Sequence, residues 1–162
     1  MKLTKQLTLL LWALPCLTIA QSTPLNVEEM VRALTPPAKT RSLGSQTRNL
    51  QPSLDLTINF DLDSAIIREE SKKALQDLAT ALSDGRLSSF KFQVEGHTDS
   101  RGTAAYNDSL SARRAQSVSA FLNAAGVSLD RLDSVGKGFR EPLDSIDTKA
   151  AINRRVRIVT QP

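Results

Sequence analysis

The sequence predicts an α/β sandwich, running β-α-β-α-β-β along the chain, with a mixed sheet of about four strands packed by helices. Apolar residues recur at every second position in two separated stretches. Helical apolar patterns with capping residues and closing glycines follow each of them, and two further extended stretches complete the chain. Four strands that share only two long crossovers cannot all pair in parallel, which makes the sheet mixed. At 162 residues, with 40% apolar and 23% charged, the chain can bury one core and is too apolar for wholesale disorder. Collagen-like, coiled-coil and disulfide-scaffold classes are excluded by the same composition.

The first element is not part of the sandwich. Lys2 and Lys5 precede an apolar stretch from Leu7 to Ala20, which is followed at once by Gln21, Ser22 and Thr23. This is the pattern of a secretory signal at 1–20, shorter than the ~18 to 20 apolar residues a membrane-spanning helix needs, with the small residues Thr18 and Ala20 before the expected cut. Cleavage there removes two lysines and no acid, lowering the formal charge from +4 to +2, so the basic balance is no argument for a nucleic-acid partner. The single cysteine, Cys16, leaves with the signal, and the secreted chain holds its fold without a disulfide.

Residues 21–53 read as a linker rich in Ser, Thr, Pro, Gln and Arg, with Pro36-Pro37 in the middle. Within it, Asn26 can cap a helix near 26–34 in which Val27, Met30, Val31 and Leu34 fall on one face, able to dock on the domain or on a partner. The folded domain is expected over 54–162. Leu54, Leu56, Ile58 and Phe60 alternate with polar residues as strand one. Ser64 caps a helix from about Ala65 to Ser83, closed by Gly85. Phe90, Phe92 and Val94 form strand two, which runs into the polar loop Gly96-His97-Thr98-Asp99-Ser100-Arg101-Gly102. Asn107 caps a second long helix from about Asp108 to Ala124, stopped by Gly126, and strands follow near Leu132 to Val135 and Arg154 to Thr160.

On a wheel of the second helix with Leu110 at about 0°, Phe121, Ala125, Val118 and Leu122 spread to about 120° as the buried stripe. Arg114 falls inside it at about 40°, whereas Arg113 falls at about 300° and points to water. A guanidinium on a core-facing stripe is costly unless it meets an anion, and the loop that starts this helix carries Asp99. Two readings stay open. Asp99 and Arg114 form an internal salt bridge, or they flank a pocket for a ligand carrying both signs, an ammonium against Asp99 and a carboxylate on the fork of Arg114.

Other chemistries have too few parts. His97 is the only histidine, and with no cysteine in the secreted chain and no second imidazole it reads as a structural strand-end residue, with no metal expected. Asp61, Asp63, Asp99 and Asp108 offer carboxylates but no pairing that singles out sugar hydrolysis. Gly136-Lys137-Gly138 lacks a phosphate-loop pattern and is expected to be a turn. No cofactor motif is present and no catalytic residue stands out.

The run Gly96 to Gly102, then Tyr106-Asn107, Leu110-Ser111, Arg114-Ala115, Val118, Leu122 and finally Asn153-Arg154-Arg155-Val156, resembles the OmpA-like carboxy-terminal domain, over about residues 54 to 160. That family is shared by outer-membrane porin-type proteins, peptidoglycan-associated lipoproteins and flagellar-stator proteins of the Gram-negative envelope. The resemblance implies non-covalent binding of the peptidoglycan stem peptide through meso-diaminopimelate, whose free end carries an ammonium and a carboxylate on one carbon. It assigns the ammonium to Asp99 and the carboxylate to Arg114. Asn107, Thr98 and Leu110, the last mainly through its backbone, would line the pocket, with Phe60 and Asp61 as the opposite wall. Asn153 and Arg154 or Arg155 match the closing motif, as ligand contacts or as braces.

The sequence departs from the family in its lack of a barrel or a membrane helix with a proton-carrying acid. Pro15 also stands before Cys16 where a lipoprotein signal has a small residue, and Phe139 replaces an acid common after the second glycine. The expected setting is the periplasm, associated with the outer membrane, with no enzyme activity. The rival readings are an interaction subunit that binds an envelope protein through 26–34, and a wall-acting hydrolase.

Overall fold

The structure is a computed structural model that describes residues 25–37 and 51–162. The signal segment expected at 1–20 and the linker between 38 and 50 lie outside the described residues. Three helices, α1 (Val27–Leu34), α2 (Glu69–Leu82) and α3 (Ala104–Ala124), pack on a four-stranded sheet of β1 (Ser53–Leu56), β2 (Lys91–His97), β3 (Leu132–Gly138) and β4 (Val156–Gln161). In the sheet order β1-β4-β2-β3, β4 pairs antiparallel with both β1 and β2, while β2 pairs parallel with β3. This is the expected mixed α/β sandwich, and the α3 crossover makes its one parallel pair.

Register separates the sheet into an apolar and a polar face. Phe92, Val94 and Gly96 stand opposite Thr160, Ile158 and Val156, and Leu54 and Leu56 lie beside the same β4 residues. With Leu75, Leu78, Leu82, Val118 and Leu122 from α2 and α3, the apolar members of this face form the core. The alternate residues, among them Asp55, Glu95, His97 and Arg157, form the other face, where ion pairs replace packing.

α1 belongs to the core. A capping box between Asn26 and Glu29 starts it, and Met30, Val31 and Leu34 are almost wholly buried against the domain. Arg86 holds the helix from outside, with two nitrogens at 2.9 and 2.7 Å from the Glu28 carboxylate. From inside, the Thr160 hydroxyl donates to the Leu34 carbonyl at 2.7 Å. Of the two expected uses of the apolar stripe, docking on the domain or on a partner, the structure shows the first, and the core draws on residues ahead of the expected boundary at 54. Leu34→Ala is expected to lower stability by about 2 to 4 kcal/mol, read as a shifted midpoint in urea unfolding followed by circular dichroism. An unchanged midpoint would mean that α1 adds nothing to the core.

Several element ends differ from expectation. The regular part of β1 stops at Leu56, and Phe60 reappears only as an isolated bridge to Ile67. Between them Asp63 takes φ 52°, and Ser64 caps no helix; its hydroxyl accepts from the Ile66 N–H at 3.0 Å. α2 begins only at Glu69, after Arg68. The β-branched Ile66 and Ile67 favour the extended chain that sets up this small hairpin. α3 starts a turn earlier than expected, capped by Thr103, which places Asn107 inside the helix. Gly136-Lys137-Gly138 is the end of β3, where Lys137 is the extra residue of a bulge opposite Gly96 and His97, rather than a turn.

Candidate functional site

The site forms where β2 gives way to the loop that starts α3. Asp99 lies in that loop, only 6% exposed, and its carboxylate is held by three contacts. Oδ1 accepts from the Arg101 main-chain N–H at 3.1 Å, and Oδ2 accepts from Arg154 Nη1 at 2.9 Å and lies 3.7 Å from Arg101 Nη1. The expected internal partner of Asp99 was Arg114; Arg154 takes that place, brought in by the chain just before β4.

Arg114 is held differently. Its guanidinium lies over the Phe60 ring, 4.8 Å from the centroid, and its Nε donates to the Ser64 carbonyl at 3.0 Å. Among the described residues neither Nη atom has a hydrogen-bond acceptor, so the terminal edge of the fork is free. Burial lowers the pKa of this group, with Tyr106 and Asp99 acting in the opposite direction. The wheel needs one correction. Ser111, Ala115 and Ser119 are buried too, so the covered stripe is wider than expected and Arg114 sits near its edge, reaching out to the hairpin.

Both charges line one cleft of about 390 Å³. Phe60 and Asp61 form one wall, Thr98 and Asp99 lie along the β2 loop, Asn107, Leu110 and Arg114 come from α3, and Arg154 completes it. The Thr98 hydroxyl is buried and has no hydrogen-bond partner among the described residues. A second hollow of about 250 Å³ also borders Phe60, Arg114 and Arg154, on their Asn59 and Arg68 side. With Asp61, Asp63 and Asp99 facing Arg101, Arg114 and Arg154, the main cleft suits a small ligand bearing both signs.

Some of the expected site residues make internal contacts in this structure. Asn153 is 1% exposed; its amide donates to the carbonyls of Asp144 and Asp147, both at 3.1 Å, and its oxygen accepts from the Asp144 N–H. It shapes the loop before β4 and does not line the cleft. Arg155 points to the opposite face, where its Nε donates to Asp55 Oδ1 at 2.7 Å. Of the two arginines in the closing motif, Arg154 is thus the one at the cleft. Asn107 borders it, but its amide donates to the Arg101 and Thr103 carbonyls at 2.7 and 3.1 Å, fixing the loop around Asp99. Leu110 lies well inside α3, where its N–H is committed to the helix, so its side chain rather than its N–H is available.

Tyr106, Asp63, Leu62 and Arg101 line the cleft as well and were not singled out as site residues. The Tyr106 hydroxyl donates to Asp63 Oδ1, joining α3 to the hairpin, and this bond raises the tyrosine pKa. The sequence signal for Tyr106 was its place in the Tyr106-Asn107 motif; for Asp63 it was absent, because nothing local marks a left-handed aspartate.

The sequence model of the OmpA family matches residues 59–156, which run from the hairpin wall to the start of β4. The peptidoglycan-associated lipoprotein of Brucella melitensis biotype 1 is 33% identical over 124 residues, 73% of each chain. The crystal structure of the peptidoglycan-associated lipoprotein from Burkholderia pseudomallei superposes with a TM-score of 0.55 at 31% identity, covering 64% of this chain and 88% of that one. The cell wall anchor of the T6SS from Pseudomonas aeruginosa does so with a TM-score of 0.52 at 34% identity, covering 64% and 75%.

Proposed function

The chain belongs to the OmpA family, and on that premise we propose that it binds peptidoglycan non-covalently and without catalysis, positioning an envelope component at the cell wall. The observation that carries this reading is the pair Asp99 and Arg114, opposite charges that line one cleft without pairing to each other. The relatives named as peptidoglycan-associated or as a cell wall anchor support it.

The ligand group that fits is the free end of meso-diaminopimelate in the stem peptide. Its ammonium replaces the Arg154 guanidinium on Asp99, keeping that buried carboxylate paired. Its carboxylate takes the open Nη edge of Arg114, whose plane is already set by Phe60 and by the Ser64 carbonyl. Thr98 offers the remaining hydroxyl, and Asn107 keeps the loop in shape. A ligand this small binds weakly at one site, and retention comes from many sites along the wall. The periplasm, against the outer membrane, is the setting where such a ligand is met.

Purified protein is expected to co-sediment with diaminopimelate-type peptidoglycan and to stay in solution with lysine-type peptidoglycan, which lacks the second carboxylate at that residue. Equal pelleting with both would overturn the diaminopimelate reading, and no pelleting with either would overturn wall binding. Soluble fragments released from the pellet would instead identify a hydrolase.

A further inference from the structure

The polar face of the sheet holds a second cluster, away from the cleft. Glu95 and His97 point from β2 to this face, 5% and 2% exposed, and Glu141 reaches them from the loop after β3. Glu95, His97 and Glu141 each bring one ligand atom to within 4.8 Å of the others. His97 Nε2 lies 3.5 Å from Glu95 Oε2, yet neither ring nitrogen has a hydrogen-bond partner among the described residues. Two buried, unpartnered nitrogens are costly in a native fold. A tetrahedral zinc site with bonds of about 2.0 to 2.1 Å has ligand-to-ligand edges of about 3.4 Å; the His97–Glu95 pair at 3.5 Å matches this edge, and the set as a whole, within 4.8 Å, closes on the ion by side-chain rotation.

A cation already stands at this place. The Lys137 ammonium lies 3.1 Å from Glu95 Oε1 and 3.2 Å from Glu141 Oε1, bridging the two carboxylates. Of the other cations on this face, Arg155 is paired with Asp55 at 2.7 Å, and Arg157 lies 3.6 Å from the same carboxylate. Burial, and next the Arg155 charge, lower the pKa of the imidazole. The sequence offers no second imidazole to complete a metal site; the fold supplies two carboxylates instead.

We propose that Glu95, His97 and Glu141 form a site for a divalent transition cation, zinc being the ion suited to one imidazole and two carboxylates, which binds by displacing the Lys137 ammonium. Removing the ammonium leaves two negative charges to face the ion. Because Glu141 belongs to the loop that ends at Arg154, the metal would also tie this loop to the sheet.

The test is a zinc titration at neutral pH against a chromophoric chelator. It uses the full chain carrying Cys16→Ser, which removes the only cysteine and leaves His97 as the only histidine. One zinc per chain is expected. Glu141→Gln, at an exposed position where folding is not at stake, is expected to weaken binding by about tenfold or more, as is His97→Gln. Lys137→Met is expected to tighten it by about tenfold, by removing the competing charge. Equal affinity in Glu141→Gln and its parent, or no saturable binding in Lys137→Met, would overturn the site.

Discussion

Gly96→Ala is expected to unfold the domain or to destabilise it by more than about 3 kcal/mol, since the added methyl meets main chain rather than a side chain that can turn away. A Cβ at Gly96 would lie 2.1 Å from the Ser111 carbonyl oxygen and 2.9 Å from its carbon. Relief would require lifting α3 off the sheet. Gly136 stands beside it across the parallel pair, and a Cβ there would lie 2.6 Å from the Ala112 nitrogen and 2.7 Å from the Asp108 oxygen. The two glycines let α3 settle backbone to backbone on β2 and β3, and that contact sets the height of Arg114 above the cleft. Gly85→Ala is the control, with nothing within 4 Å of the new methyl. Urea unfolding should show near-wild-type stability for Gly85→Ala and a collapsed midpoint or no folded baseline for Gly96→Ala. A mild effect at Gly96 would mean that α3 does not sit this close.

Arg114→Ala is expected to reduce co-sedimentation with diaminopimelate-type peptidoglycan by about tenfold or more, the size expected when a charge-assisted hydrogen-bond pair is lost. Arg113→Ala should pellet like wild type, because Arg113 is exposed, donates to the Ser109 hydroxyl at 2.6 Å and does not line the cleft. Arg114→Lys should recover little. An ammonium keeps the charge but cannot lie flat over Phe60 while offering two parallel donors. Circular dichroism should show all three variants folded, as the position is at the edge of the core. Equal pelleting of Arg113→Ala and Arg114→Ala would remove Arg114 from the site.

The strands and long helices were legible because their periods are local. Alternation marked Leu54 to Phe60, of which β1 keeps Leu54 to Leu56, and Phe90 to Val94, and the stripe of Val118 and Leu122 marked α3. The ends were harder. Ser64 and Asn107 are both good capping residues, yet each is used otherwise: Ser64 turns the hairpin, and Asn107 braces the Asp99 loop from inside the helix. At the site, the sequence exposed Arg114 as a charge out of place, and spacing to the β2 loop brought Asp99 near it. That Arg154 and not Arg114 pairs with Asp99 depends on β4 lying next to β2, a long-range fact that no local pattern carries. The same holds for Asn153, which the resemblance left open between ligand contact and brace and around which the loop before β4 closes, and for Glu141, which meets His97 from the loop after β3.

The docking of α1 also sets how far the protein can reach. A pull on the chain ahead of Val27 acts first on a two-turn helix held by Met30, Val31 and Leu34 and clamped by Arg86, and only then on β1. Undocking and unwinding α1 would turn its eight residues from about 12 Å of helix into about 28 Å of extended chain. The same helix that completes the core at rest is thus a reserve of slack under tension, the first element that a load from the amino-terminal side meets.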